Sequence, residues 1–574
     1  MADITTGMTE VTARPLRLRV DPKWIAIGLC LAVVAWVALV PLAFLLWQSV
    51  TADGSVSLAN FRSAYLSGGN AGTFANSVLF AIGAAGFSMA IGTLFAWLNE
   101  RTNTPFKALF YGLAIVPLVI PSILFTVAWI FLASPKIGIL NHVLRDLFGA
   151  AAPTLNIYSL AGMIWVDGLH YSPMAFLLMT AAFRAMDPSL EEAAMMCGAN
   201  VRQIAARITV RLAWPAAFSA LLILFVRAIE SFEVPALLGL PAGIEVYTSS
   251  IYQAIHQYPS QVGVAAAYAL ILLAITSLGI FAQSRLSARG SRYATVTGKG
   301  FRPRTLDIGR WRYAAAALFV LYFLFVVVLP FLVLVWSSLQ PYYSVPSFAA
   351  LQNVTLDSYR SVLAFPAFTT AVWNTVMLSL ASATAIMLMT AVLAWIVVKT
   401  RTPGRWLIDN LASLPLVFPG MVLGLAIMIC YLTIGPSIYG TLWIMLIAYV
   451  TRFMPYGMRY NTASMLQIHK ELEEAAATSG AAWGPTFRRV ILPLLKPGLM
   501  AGWIYVVIVS VRELSSSILL YSPGSEVVSI VIWELWQNGQ YVELSALGVM
   551  MIGALFCVVM LAQALGRHFG MAEA

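Results

Sequence analysis

The chain has 574 residues, 60% of them hydrophobic and only 10% charged, with a mean hydropathy of +0.84. A soluble globular protein carries roughly 25% charged residues, so this composition excludes one and places most of the chain in lipid. The formal charge of +10 raises the possibility of a nucleic-acid partner, which the positions of the basic residues then exclude.

In chain order, Arg14, Arg17, Arg19 and Lys23 precede an apolar run from Trp24 to about Trp47. A signal-peptide core is only about 7–15 residues long, whereas this run approaches the roughly 20 that cross a bilayer, so it reads as a retained helix. Twelve spans are expected. Six lie near 24–48, 75–98, 109–133, 158–183, 214–238 and 262–283, and six near 313–338, 372–398, 407–433, 439–463, 497–521 and 545–566. With the N-terminus inside, 26 of the 34 Lys and Arg fall in the loops of the cytoplasmic face. Four (Arg62, Lys136, Arg145, Arg360) fall in outer loops, and four (Arg227, Arg452, Arg459, Arg512) lie within spans. Basic residues mark cytoplasmic loops, so both termini are expected there. The positive charge is spread along one membrane face and forms no nucleic-acid patch. Cys30, Cys197, Cys430 and Cys557 form no CxxC pair and read as small core residues. The five histidines are scattered and suggest no metal site.

The chain repeats itself. Asn76, Ala96-Trp97, Thr104-Pro105, Pro117 and Pro121 recur 298 residues later as Asn374, Ala394-Trp395, Thr402-Pro403, Pro415 and Pro419. Pro173, Glu191-Glu192-Ala193-Ala194, Gly198, Pro215 and Pro241 recur 282 residues later as Pro455, Glu473-Glu474-Ala475-Ala476, Gly480, Pro497 and Pro523. Six spans per half is an even number, so the halves run parallel, related by an axis along the membrane normal with a pathway between them. The expected divisions are 1–71 (N-terminus, first helix and outer loop), 72–284 (first transmembrane domain), 285–312 (basic linker), 313–369 (seventh helix and outer loop), 370–566 (second transmembrane domain) and 567–574 (cytoplasmic tail). The matched prolines inside the third and ninth spans act either as kinks that shape the bundle or as breaks that border the pathway.

Two cytoplasmic stretches carry the functional signal, Asp187–Gly198 and Leu472–Gly480. Asp187 or Ser189 suits a helix cap, Pro188 a first turn, and the glycines a helix end. Each loop reads as a short helix, a turn and a second short helix on the membrane surface. The pattern Glu-Ala-Ala, three residues, Gly, then Ile-x-Leu-Pro resembles the signature loop of binding-protein-dependent ABC importer permeases. The second copy matches through Glu474-Ala475-Ala476, Gly480 and Val490-Ile491-Leu492-Pro493. The first matches through Glu192-Ala193-Ala194, Gly198 and Ile208 but lacks the final Leu-Pro. The resemblance implies an all-α membrane protein of the type I importer fold in the bacterial inner membrane. Its two coupling loops would dock on two separate ATPase subunits, and an extracytoplasmic binding protein would dock on outer loops such as 239–261 and 521–544. The chain itself has no GxxxxGK[ST] loop, since Gly298-Lys299-Gly300 lacks the spacing. The ATP would thus be used by the partners, and no cofactor is expected on this chain.

Ionisable residues inside spans are costly and mark function. Arg227, Glu230 and Glu233 fall at i, i+3 and i+6 on one side of the fifth span, and Arg512 and Glu513 occupy the matching region of the second half. They either pair to hold helices together or face the pathway. Glu230-Ser231-Phe232-Glu233-Val234-Pro235 and Arg512-Glu513-Leu514-Ser515-Ser516-Ser517 resemble segments of ferric-iron importer permeases. Related fused permeases serve thiamine, aminoethylphosphonate or polyamines. A twelve-span secondary transporter is the alternative of another class, but it gives no reason for paired Glu-Ala-Ala loops. The absence of HExxH and GxSxG speaks against a membrane enzyme.

Overall fold

The computed structural model describes residues 22–52, 54–66, 71–187, 189–290, 305–402 and 404–568. Arg14, Arg17, Arg19, Pro188, Pro403, Gly298-Lys299-Gly300 with half of the basic linker, and the end of the tail lie outside them. After α1 (Pro22–Ser49), the first half comprises α2 (Ala71–Arg101), α3 (Lys107–Ile115), α4 (Ser122–Ala133), α5 (Leu160–Ala185), α6 (Ser189–Met196), α7 (Val201–Ile229), α8 (Tyr247–His256) and α9 (Val262–Gly290). The same order returns in the second half as α10 (Trp311–Ser338), α11 (Pro366–Lys399), α12 (Arg405–Ser413), α13 (Gly420–Ile434), α14 (Leu442–Gln467), α15 (Glu471–Thr478), α16 (Trp483–Val511), α17 (Val528–Gln537) and α18 (Tyr541–His568).

Eight of these helices (α1, α2, α7, α9, α10, α11, α16, α18) are long and apolar enough to cross a membrane. The expected third and ninth spans are not single helices. Lys107–Val119 meets Ser122–Ala133 at 97°, and Arg405–Val417 meets Gly420–Ile434 at 106°. Proline has no N–H to donate and pushes the residue before it into extended backbone. Ile120, before Pro121, has φ −73° and ψ 123°; Phe418, before Pro419, has φ −86° and ψ 112°. The matched prolines therefore break the helices. α5 and α14 have 26 residues each, length enough at 1.5 Å per residue. They carry Asp167 and His170, or Arg452 and Arg459, so composition does not mark them, and twelve spans are reached only by including them.

α2 packs against α5, and α11 against α14, through small residues, as expected where lipid leaves close packing to hold helices together. A Cβ on Gly92 would lie 2.6 Å from the backbone nitrogen of Phe176, and one on Gly457 would lie 2.5 Å from the Ile386 side chain. The Ser88 hydroxyl donates to the Gly168 carbonyl at 2.9 Å, and the Asn461 amide donates to the Met387 carbonyl at 3.0 Å. The first helix of each half crosses to the other half. Ile27, Val34 and Val37 of α1 bury with Trp395, Ile408 and Met465, while Ala315 and Phe319 of α10 bury with Phe95, Phe110 and Phe176. Phe110 and Phe319 stack at 4.5 Å. Each half thus helps to hold the other, which makes one body of the repeat. Cys430 is buried as expected, but Cys197 and Cys557 are exposed and Cys30 is half-buried. Cys197 follows a helix on a polar loop, and the apolar run around Cys557 turns that side chain outward.

Candidate functional site

The Glu-Ala-Ala segments form α6 and α15. The Asp187 carboxylate accepts the Ser189 N–H at 2.9 Å, as the capping signal predicts. Both helices end alike. The N–H of Ala199 reaches back to the Ala194 carbonyl and that of Gly198 to Met195; Ala481 reaches Ala476 and Gly480 reaches Ala477. This pair of bonds needs a left-handed residue, and Gly198 (φ +81°) and Gly480 (φ +78°) supply it. Glu474, Ala193, Ala475, Gly198 and Gly480 are exposed, and Glu192, Ala194 and Ala476 are half-buried. Leu190, Met196 and Leu472 are exposed apolar neighbours. Neither Glu192 nor Glu474 makes a salt bridge among the described residues. Both carboxylates lie near a helix N-terminus, where the backbone dipole favours negative charge.

The second short helix of each loop is not separate. Val201–Ile204 and Trp483–Thr486 run on through π-turns at Ala205–Thr209 and Phe487–Ile491 into α7 and α16. Motion of either loop therefore acts directly on a spanning helix. The missing Leu-Pro in the first copy does not break this helix. Asn200 and Gln203 form a reciprocal cap at 2.9 Å in each direction, and Thr209, at the position of Ile491, is used by Glu191.

Sequence reasoning singled out Glu192, whereas the buried carboxylate of the first loop is its neighbour Glu191. It lies 3.5 Å from the Arg101 guanidinium, with both side chains 3% exposed, and accepts the Thr209 hydroxyl at 2.6 Å. Arg101 also donates to the Met186 carbonyl at 3.1 Å. Residues 305–309 close over this corner. The Leu306 N–H donates to the Arg101 carbonyl at 2.8 Å, and the Asn103 amide donates to Asp307 at 2.5 Å. The Gly309 N–H and the Asn103 amide hold the Asp307 carboxyl below its usual range. In the second half Lys399 reaches the Ile468 carbonyl, and Glu473 instead accepts the Trp395 indole N–H at 3.1 Å. A cavity of about 280 Å³ beside α15 is lined by Gln467, His469, Leu472 and Pro497.

Deeper in the bundle, α7 ends at Ile229 and α16 at Val511, short of the expected 238 and 521. Glu233 thus lies beyond the helix and not at i+6 on its face. Apolar Phe232, Val234, Leu237 and Leu238 continue the hydropathy past the break and hide it. The break is held by polar bonds. The Ser231 hydroxyl donates to Asp167 at 3.0 Å, and Thr248 donates to the Ser231 carbonyl at 2.7 Å. Arg227 pairs with Glu230 at 2.7 Å and donates to the Tyr456 hydroxyl of the second half at 2.6 Å. Arg512 reaches the Leu118 carbonyl at the broken third span. Glu513 pairs with Arg452 at 2.9 Å and accepts from Ser516. Arg452 lies directly over Gly420, where a Cβ would fall 1.5 Å from its Nη1. Glu233 makes no salt bridge among the described residues and lies within electrostatic reach of Glu513 and Arg452. The structure thus gathers Arg227, Glu230, Glu233, Arg512 and Glu513 where the two halves meet, and adds Arg452, Asp167 and Tyr456. A charge inside a predicted span was the signal available for the first two of these.

At the opposite ends of α2 and α11 the repeat is again matched. Asn76 donates to the Glu245 carbonyl at 3.2 Å, and Asn374 donates to those of Gly524 and Glu526 at 3.2 and 2.9 Å. Ser77 accepts the Tyr247 N–H, and Thr375 the Val528 N–H, each at 2.9 Å, which seats α8 and α17. These contacts explain why the two asparagines recur. A polar cavity of about 840 Å³ lies here, lined by Glu245, Ser250, Tyr252, Gln253, His256 and Gln257. Across the halves, Trp533 packs on Phe232 at 5.4 Å and on Tyr252 at 5.5 Å.

The sequence profile of the family described as "Binding-protein-dependent transport system inner membrane component" matches residues 85–292 and again 386–571. The ferric transport system permease protein FbpB of Actinobacillus pleuropneumoniae is 26% identical over 489 residues, covering 83% of this chain and 69% of that protein. The Fe(3+)-transport system permease protein FbpB 2 of Haemophilus influenzae is 24% identical, covering 81% and 84% respectively. The putative 2-aminoethylphosphonate transport system permease protein PhnV of Salmonella typhimurium is 26% identical over 174 residues, 30% of this chain and 64% of its own. With both copies of the profile spanning most of a chain built from two equivalent helical halves, this protein belongs to the inner-membrane permease family of binding-protein-dependent transport systems, in its fused two-half form.

Proposed function

We propose that the chain forms the whole translocation pathway of an ATP-driven importer, with one ATPase subunit on α6 and a second on α15. One observation carries this reading: two short, partly exposed Glu-Ala-Ala helices, each closed by a left-handed glycine, are followed after a short turn by a helix that runs on to end beside the inter-half charges. Displacing α6 or α15 therefore moves Arg227 and Glu230, or Arg512 and Glu513. In this reading the coupling loops and both termini face the cytoplasm, in line with the basic residues. The opposite face, with the loops 239–261 and 521–544, receives a solute-binding protein. The chain binds no cofactor, and ATP is hydrolysed by the partner subunits.

Ferric ion is the proposed cargo. The two FbpB relatives, aligned over four-fifths of this chain, favour it, and so does Glu233, a carboxylate at the centre with no ion pair among the described residues. A hard cation takes oxygen ligands, and Glu233 offers such an oxygen on the route. The second reading is a phosphonate, favoured by the PhnV match and by Arg227, Arg452 and Arg512 in the same place. The test is ATP hydrolysis by the purified complex with its binding protein loaded with ferric ion, 2-aminoethylphosphonate or thiamine. Ferric ion is expected to stimulate. Stimulation by 2-aminoethylphosphonate or thiamine, with none by ferric ion, overturns the iron assignment.

A further inference from the structure

We infer that Glu191, with Arg101 and Thr209, is a positioning group that locks the first coupling helix to α2 through a buried ion pair, whereas the second coupling helix is held to α11 by a weaker, uncharged-donor hydrogen bond. The two halves would then receive the ATPase stroke through unlike joints. The inference rests on the coupling role proposed above.

The repeat makes the difference readable position by position. Arg101 corresponds to Lys399, Glu191 to Glu473 and Thr209 to Ile491. In the first half the three groups come from α2, from α6 and from the π-turn at the base of α7, and they meet in a buried ionic knot. The π-turn matters because its extra residue sets the register in which Thr209 faces Glu191. Buried opposite charges cannot part without leaving one of them uncompensated, and a hydroxyl bond is directional, so this joint resists both separation and sliding. Residues 305–309 brace it from outside through the Arg101 carbonyl and Asn103.

The second half has the same parts but not the knot. Glu473 makes no salt bridge among the described residues, and Ile491 has no hydroxyl to offer it. Glu473 instead accepts the Trp395 indole N–H at 3.1 Å, and Trp395 itself packs on Trp483 and Phe487 of α16, at 5.4 and 6.4 Å. A hydrogen bond from a neutral donor holds less strongly than a buried ion pair joined by a second hydrogen bond, so α15 shifts more readily than α6. The corner that follows each long helix carries the same hydroxyl pair, Thr102 with Thr104 and Thr400 with Thr402, each at 2.7 Å.

The test uses the full complex with its ATPase subunits in lipid nanodiscs, the four native cysteines replaced, and nitroxide labels at exposed matched positions. One pair is Leu109 with Met196, and the other is Leu407 with Thr478. On binding ATP, the first pair is expected to keep its distance and the second to change it. In Glu191→Gln, and in the near-isosteric Thr209→Val should the first fail to assemble, the first pair should shift as the second does. Equal shifts of both pairs in the native complex, or an unmoved first pair in these variants, overturn the lock. If neither pair responds to ATP, the coupling reading fails, and the lock with it.

Discussion

Gly198 and Gly480 sit at φ +81° and +78°, where a side chain costs about 1–2 kcal/mol. Gly198→Val and Gly480→Val should each unwind the end of a coupling helix and lower the yield of ATPase subunits on pull-down, while the chain still inserts. Gly420 is held to glycine for another reason: the Arg452 guanidinium occupies the space of its Cβ. Gly420→Ala should push Arg452 away from Glu513. Since breaking a buried ion pair costs about 3–5 kcal/mol, the thermal midpoint in detergent should fall sharply, and Arg452→Ala should fall about as far. A Gly420→Ala protein as stable as the parent would mean the guanidinium has another seat. At this scale the sequence was legible where chemistry is local. A glycine after an alanine run predicts a left-handed end, and that is what both loops have. It was illegible where a partner comes from far along the chain. Nothing near Glu191 distinguishes it from Glu192; Arg101, 90 residues earlier, decides which is buried.

In the proposed function, the two Glu-Ala-Ala helices are short elements that act through the charge they present. Reversing it, in Glu192→Arg or Glu474→Arg, should leave the fold intact, because both side chains reach solvent and neither is in an ion pair among the described residues. Import should fall at least about tenfold, the equivalent of about 1.4 kcal/mol of lost coupling, while ATP hydrolysis continues. Unchanged uptake in both variants would remove the coupling role. The long helices show why hydropathy misjudges boundaries. The apolar run 214–238 contains a helix only to Ile229, because Ser231 hands its hydroxyl and carbonyl to Asp167 and Thr248 rather than to its own turn. The predicted third span breaks by 97° for a reason the sequence did show, paired prolines, although proline alone does not separate a kink from a break. Replacing Pro121 and Pro419 together by alanine should permit straighter helices and withdraw the Leu118 carbonyl from Arg512. The measurable result is loss of import with the ATPase partners still bound.

At the scale of the molecule, the two halves are joined by exchanged first helices and by polar contacts across the centre, Arg227 with Tyr456 and Arg512 with Leu118. The repeat that displays this order was readable from matched residues at constant offset, and so was the placement of the loops. What the repeat concealed is its asymmetry: Glu230 corresponds to Arg512, and Ser231 to Glu513, so the centre is charged on both sides but never with the same group at the same place. What separates an ATP-driven importer from a secondary transporter is the source of its energy. The direct measurement is purification of the complex from membranes, its subunit ratio, and uptake in proteoliposomes with ATP or with an ion gradient alone. One copy of this chain with two ATPase subunits, and uptake that requires ATP and the binding protein, is the predicted result. Uptake by this chain alone, driven by an ion gradient, would contradict it.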